Sequence, residues 1–177
     1  MKKQITILGV GNILLTDEGV GVRVIEELEQ RFSFPSNVKL YDGGTAGMSL
    51  LPVVEDADYL IVVDAVLVGE PPGTIVKFNF EELPSNLTRK LSSHEIDVIE
   101  VLKVAEALGK RPPTVIIGIQ PKDISSYGTE LTIKNHIPKL IEFISEELKT
   151  LGIEIVSKQG KPAQKRCSQT DGNTPKG

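Results

Sequence analysis

The sequence predicts an α/β protein, a three-layer α/β/α sandwich with a mostly parallel central sheet of about five strands. Three observations carry that reading. Short β-branched runs alternate along the chain with stretches of helical spacing. Two of those runs, around Tyr59–Val63 and Thr114–Ile119, are apolar almost throughout, as strands covered on both faces must be. A third, Thr74–Phe80, instead alternates apolar and polar residues, which suits an edge.

Taken in order, ITILGV (Ile5–Val10) is the first strand, and Gly21, Val24, Ile25, Leu28 and Phe32 then fall on one face of a helix. VKLYD (Val38–Asp42) follows as a strand, and a shorter helix is expected over Ala46–Asp56, with Pro52 leaving its extent open. YLIVVDAV (Tyr59–Val66) and TIVKFNF (Thr74–Phe80) are consecutive strands. Val98, Leu102, Ala105 and Leu108 stand opposite Glu100, Lys103 and Glu106 on the next helix, TVIIGI (Thr114–Ile119) is the last strand, and Ile133, Ile137, Leu140, Ile141, Ile144 and Leu148 mark a final helix. Strands alternating with helices imply parallel pairing through right-handed crossovers.

A chain of 177 residues is about one domain and buries enough surface to need no disulfide. With 40% hydrophobic and 25% charged residues it does not belong to the disordered class. No apolar run approaches the ~20 residues of a membrane span. The opening MKKQITILGV has an apolar stretch too short for an export signal, with Asp17 and Glu18 close behind. One cysteine allows no internal disulfide and no multi-thiolate zinc site, so a reducing cytoplasm is expected. A net charge of −4 argues against a nucleic-acid partner. The charge is uneven: Ser157–Gly177 holds five of the 20 basic residues and one of the 24 acidic ones, so residues 1–156 carry 15 against 23, or −8. Lacking Val, Ile, Leu, Met and aromatic residues, that segment reads as a disordered basic tail behind a single α/β domain spanning residues 1–156. Cys167 lies within it, without the fixed base and shaped pocket that a nucleophilic thiol needs.

In such folds ligands gather beyond the carboxyl ends of the strands. The loops there read GVGNILLTDEGVG, DGGTAG, VVDAV and SSHE. Glu18 stands at a loop-to-helix junction, where an acid also serves the helix dipole, and Asp17 suits an N-cap. Asp64 closes an otherwise apolar run, so its carboxylate needs compensation. Ser92–Glu95 has the S-x-x-E form of a capping box, placing His94 in a first helical turn, where the dipole favours neutral, metal-binding imidazole. A solvated surface histidine is the bland alternative there, and His136, beside Lys134, Asn135 and Pro138, fits that description better. Glu18, Asp64 and His94 together offer two carboxylates and an imidazole with open coordination positions, a set compatible with Ni, Zn, Mn or Fe. GVGN lacks the third glycine of a dinucleotide loop, no lysine-bearing phosphate loop is present, and no G-x-S-x-G elbow occurs.

GNILLTDEGVG, DGGTAGM at Asp42–Met48, VDA ending the third strand, the S-x-H element at Ser92–His94 and GIQP at Gly118–Pro121 together resemble the hydrogenase maturation endopeptidases, in that family's order over roughly residues 4–150. The combination is specific where each piece alone is weak. The resemblance implies an enzyme that removes a short C-terminal extension from the large-subunit precursor of a nickel-iron hydrogenase after nickel insertion. It implies that Glu18, Asp64 and His94 are the metal-binding and catalytic residues, and that the metal is nickel already held by the precursor rather than a permanent cofactor. Asp42, Gly43 and Gly44 fall, by the same resemblance, to substrate recognition, against a plain turn-forming Asp-Gly. Gln120 is a pocket-lining or merely strand-end residue. A different class remains open, a non-catalytic nickel-binding or nucleotide-binding α/β module acting as an assembly chaperone.

Overall fold

Ile5–Val10 is strand β1, buried along its whole length, because it is paired on both edges and covered on both faces. The computed structural model describes residues 2–84 and 97–159 of the chain. Within them β1 is flanked in parallel by β3 (Val38–Gly44) and β4 (Tyr59–Ala65), with Ile5 opposite both Val38 and Tyr59. β6 (Thr114–Ile119) continues the parallel set beside β4, and β5 (Ile75–Asn79) closes the sheet antiparallel to β6. The order is β3-β1-β4-β6-β5. The alternating run is thus an edge strand, and the wholly apolar runs are central, as their patterns required.

Side-chain parity makes the layers. Ile5, Ile7, Ile61 and Val63 face α1 (Val20–Arg31) and α4 (Ile137–Thr150), meeting Val24, Ile25 and Leu28 from the first and Leu140, Ile144 and Leu148 from the second. Leu8, Val10, Leu60, Val62 and Ile116 face the other way, onto Val54 of α2 (Leu51–Glu55) and Val98, Val101, Leu102 and Ala105 of α3 (Val98–Ala107). Each such fully buried aliphatic side chain stabilises the fold by about 1.5–3 kcal/mol before entropy is counted. Asp97 opens α3, its Oδ1 accepting a hydrogen bond from the Ile99 N–H at 3.2 Å.

Three local expectations change. The helix expected over Ala46–Asp56 is a 3-10 turn, Gly47–Leu50, followed by the short α2, where Pro52 occupies a first-turn position that loses no hydrogen bond. A two-strand ribbon, β2 (Phe32–Ser33) with β7 (Val156–Ser157), is too short to leave a periodic signal. Its partner strand includes Ser157, the first residue of the expected tail. Ser157 pairs with Phe32, and the Lys158 N–H donates to the Arg31 carbonyl at 2.9 Å. Residues 160–177 lie outside the described residues, as does the segment holding the expected capping box and His94. Among the described residues no helix is long and apolar enough to cross a membrane.

Candidate active site

The first loop is built as a rigid shelf at the carboxyl end of the sheet. Asn12 opens a tight turn: its Oδ1 accepts the Leu14 N–H at 2.9 Å and its carbonyl accepts the Leu15 N–H at 3.2 Å. Thr16 follows with φ +49°, a conformation that a β-branched residue adopts only when its surroundings enforce it. The enforcement is visible, since its Oγ1 donates to the Ser126 carbonyl at 2.8 Å and its N–H to the Gly128 carbonyl at 2.8 Å. Thr16–Gly19 is then a single 3-10 turn, buried at all four residues and packed against β4.

Glu18 sits in that turn at 7% exposure, just before the N-terminus of α1. One turn later Gly21 presses on the sheet so closely that a Cβ there would collide with the carbonyls of Val63 and Val10. Val63 immediately precedes Asp64, which is 4% exposed. By parity with Leu60 and Val62, Asp64 projects on the α3 face of the sheet. The structure therefore brings two carboxylates, from the first and third sequence motifs, to one end of adjacent strands. His94 lies outside the described residues; Asp97, the first described residue after it, opens the helix that covers the face Asp64 occupies. Among the described residues alone, no three His, Cys, Asp or Glu side chains gather in a metal-binding group.

Asp17 has a different fate from the one expected. It caps no helix, since Gly19 precedes α1 and no side-chain cap bond is made there. Instead its fully buried carboxylate accepts four hydrogen bonds: Thr132 N–H to Oδ1 at 2.7 Å, and Thr132 Oγ1, Lys122 N–H and Asp123 N–H to Oδ2 at 2.6, 2.9 and 3.0 Å. Burial alone pushes its pKa up, but these donors together outweigh it and hold the carboxyl below its usual value. Asp17 thus clamps residues 122–132 against the turn that carries Glu18.

The remaining candidates are placed plainly. Asp42 is exposed, and its Oδ1 accepts the Gly44 N–H at 3.0 Å, the arrangement of a turn-forming Asp. It pairs in register with Gly9, whose α-carbon faces α1, so it stands two strands from Asp64 and on the opposite face. A methyl on Gly43 would meet Leu8 at 2.8 Å, while the Gly44 carbonyl accepts the Gly11 N–H at 2.9 Å, which joins the second loop to the first. Gln120 is a strand-end latch, its Oε1 accepting the Val68 N–H at 2.8 Å. His136 precedes α4 and lays its ring against Gly73. The groove between α1 and residues 129–138, lined by Arg23, Glu26, Lys134 and Ile137 among others, contains none of the candidate residues.

Asp17 and the 122–132 segment are the parts that sequence reasoning missed. The acid was visible, but its donors lie more than a hundred residues away and are mostly backbone groups, which leave no pattern. Chemically, two buried carboxylates, one in a turn beyond β1 and one near the end of β4, offer hard oxygen donors for a divalent cation and an acceptor for a proton.

Sequence and fold are both shared with known proteins. The family model described as hydrogenase maturation protease matches residues 22–147. The hydrogenase 2 maturation protease of Escherichia coli (strain K12) is 37% identical over 159 residues, covering 88% of this chain and 97% of its own. The hydrogenase expression/formation protein HupD of Thiocapsa roseopersicina is 42% identical over 154 residues, 85% of this chain and 70% of its own. The solved hydrogenase maturating endopeptidase HybD from E. coli superposes with a TM-score of 0.80 at 37% identity, covering 90% of this chain and 99% of that one. With most of the chain matched in both sequence and fold, this protein belongs to the hydrogenase maturation protease family.

Proposed function

We propose that this endopeptidase removes the C-terminal extension of a nickel-iron hydrogenase large-subunit precursor once nickel has been inserted, and that it reads the nickel held by that precursor. The observation carrying the reading is that Glu18 and Asp64 are both buried and both lie at the carboxyl end of the adjacent strands β1 and β4. Two carboxylates with His94 make a mixed oxygen and nitrogen set that nickel accepts. Their role is to seat the precursor's metal centre so that the adjacent peptide lies in a fixed place, where orientation lowers the barrier to hydrolysis. A metal in that position supplies Lewis acidity toward a carbonyl or a water. Requiring it also rejects an empty precursor, whose scissile bond is left unpositioned. Asp42, Gly43 and Gly44 contribute to substrate recognition from the neighbouring loop. The reaction belongs in the cytoplasm, in keeping with a chain of one cysteine.

The test mixes metal-depleted enzyme with purified precursor in nickel-loaded and nickel-free forms and follows precursor mass. Loss of one defined C-terminal peptide from the loaded form alone is expected. Equal cleavage of the nickel-free form under a chelator refutes nickel recognition. Tight binding with no change in mass supports the chaperone reading instead.

A further inference from the structure

Turn tips are normally occupied by Gly, Pro, Asn, Asp or Ser. Here the two central residues of the Asn12–Leu15 turn are Ile13 and Leu14, 37% and 56% exposed. A third large apolar side chain joins them: Tyr127 is 91% exposed, and its neighbour Gly128 donates its N–H to the Leu14 carbonyl at 2.9 Å. The two segments therefore run side by side, bridged at Leu15 and Gly128. Their outward display is enforced from beneath. Thr16 holds Ser126 and Gly128, Asp17 holds residues 122, 123 and 132, and Asp123 Oδ1 accepts the N–H groups of Ser125 and Ser126 at 2.9 Å, shaping the bend before Tyr127.

We propose that Ile13, Leu14 and Tyr127 form a preordered apolar ridge that docks the large-subunit precursor beside its cleavage point. This rests on the functional reading above. Contiguous exposed apolar side chains on a rigid support mark interaction surfaces, and tyrosine is enriched among residues that dominate binding. The occupant follows from position. The ridge runs directly into the 3-10 turn that carries Glu18, with Gly19 packed on the Ile13 α-carbon, so whatever covers it lies against the site. An endopeptidase acting on a folded protein needs such a contact, because the few residues around a scissile bond give little area. The matching surface on the precursor is apolar, and the ridge acts on binding rather than on the bond-breaking step.

The experiment uses the full chain with Leu14→Ser and Tyr127→Ser, singly and together, and Tyr127→Phe. Dissociation constants for purified precursor are measured in a Glu18→Gln background, and KM and kcat in the active one. The double variant is expected to raise both the dissociation constant and KM at least about tenfold with kcat retained, at an unchanged melting temperature, with Tyr127→Phe near the parent. Parent-like binding and KM in the double variant, from a parent that binds and cuts, overturns the ridge alone. Conversion of a self-associated parent to monomer by these substitutions also overturns it, assigning the ridge to a second copy. A parent that neither binds nor cuts precursor refutes the functional reading, and the ridge loses its occupant with it.

Discussion

Gly21→Ala adds one methyl group, and the structure says where it must go. The new Cβ would sit 2.5 Å from the Val10 carbonyl oxygen, 2.9 Å from the Val10 nitrogen, and nearer still to the Val63 oxygen. Carbon and oxygen need about 3.0–3.4 Å, so α1 must withdraw from β1 and β4 by roughly 0.5–1 Å. No rotamer change relieves the clash, because every atom met is main chain. Overpacking of this kind costs about 1–3 kcal/mol, against about 1 kcal/mol returned by the better helix propensity of alanine. A net loss of up to about 2 kcal/mol lowers the melting temperature by up to about 8 °C in a chain of this size. The larger effect falls on function. Glu18 is one turn before Gly21 and Asp64 follows Val63, so withdrawal separates the two carboxylates, and a misplacement of about 1 Å costs on the order of a hundredfold in rate. Thermal denaturation and release of the C-terminal peptide by mass spectrometry are read on the same preparation. A variant that melts higher than the parent, as propensity alone would make it, and processes at the parent rate refutes the argument that this contact sets the site.

Glu18→Gln, Asp64→Asn and His94→Ala are each expected to abolish processing with the melting curve retained, while His136→Ala keeps processing; titration with a divalent metal checks that affinity falls in the first three. Asp17 has a folded pKa below its unfolded one, so its stabilisation is complete above about pH 4 and is lost as pH falls through the folded value. Asp17→Ala, which strands four donors, is expected to cost about 3–5 kcal/mol near neutral pH and to flatten the acid limb of a stability-against-pH curve. Truncation after Gln159 is expected to leave melting and processing unchanged. Truncation after Glu154, which removes β7 and the Lys158 bond to Arg31, lowers the melting temperature.

What the sequence discloses depends on how far a residue's partners lie along the chain. β4 and β6 were legible because pairing on both edges and cover on both faces demand nearly unbroken apolar runs, β1 as a short β-branched run, and β5 because an edge demands alternation. The burial of Asp64 was legible from its place at the end of an apolar run, whereas that of Glu18, at a loop-to-helix junction, was not. The break of the second helix into a 3-10 turn and five α residues was not, since the choice is settled by packing against α3. Nor was the ribbon of β2 with β7, two residues a side, whose pairs Phe32–Ser157 and Ser33–Val156 are 125 and 123 residues apart. Asp17 shows the same limit in one residue: its local context suits a cap, and only the distant backbone donors make it a clamp.

The adjacent acids Asp17 and Glu18 divide the work of one turn. A 3-10 helix advances about 120° per residue, so two successive side chains cannot share an environment, and here both are buried on different sides of the turn. Asp17 directs its charge at four donors from residues 122–132 and so fixes that segment. The fixed segment in turn holds Thr16 in its left-handed conformation and displays Tyr127 beside Leu14. The turn so restrained can present Glu18 at a defined place over β4 despite lying in a loop. Precision that loops ordinarily lack is supplied here by a buried carboxylate whose four hydrogen bonds fix the turn from beneath.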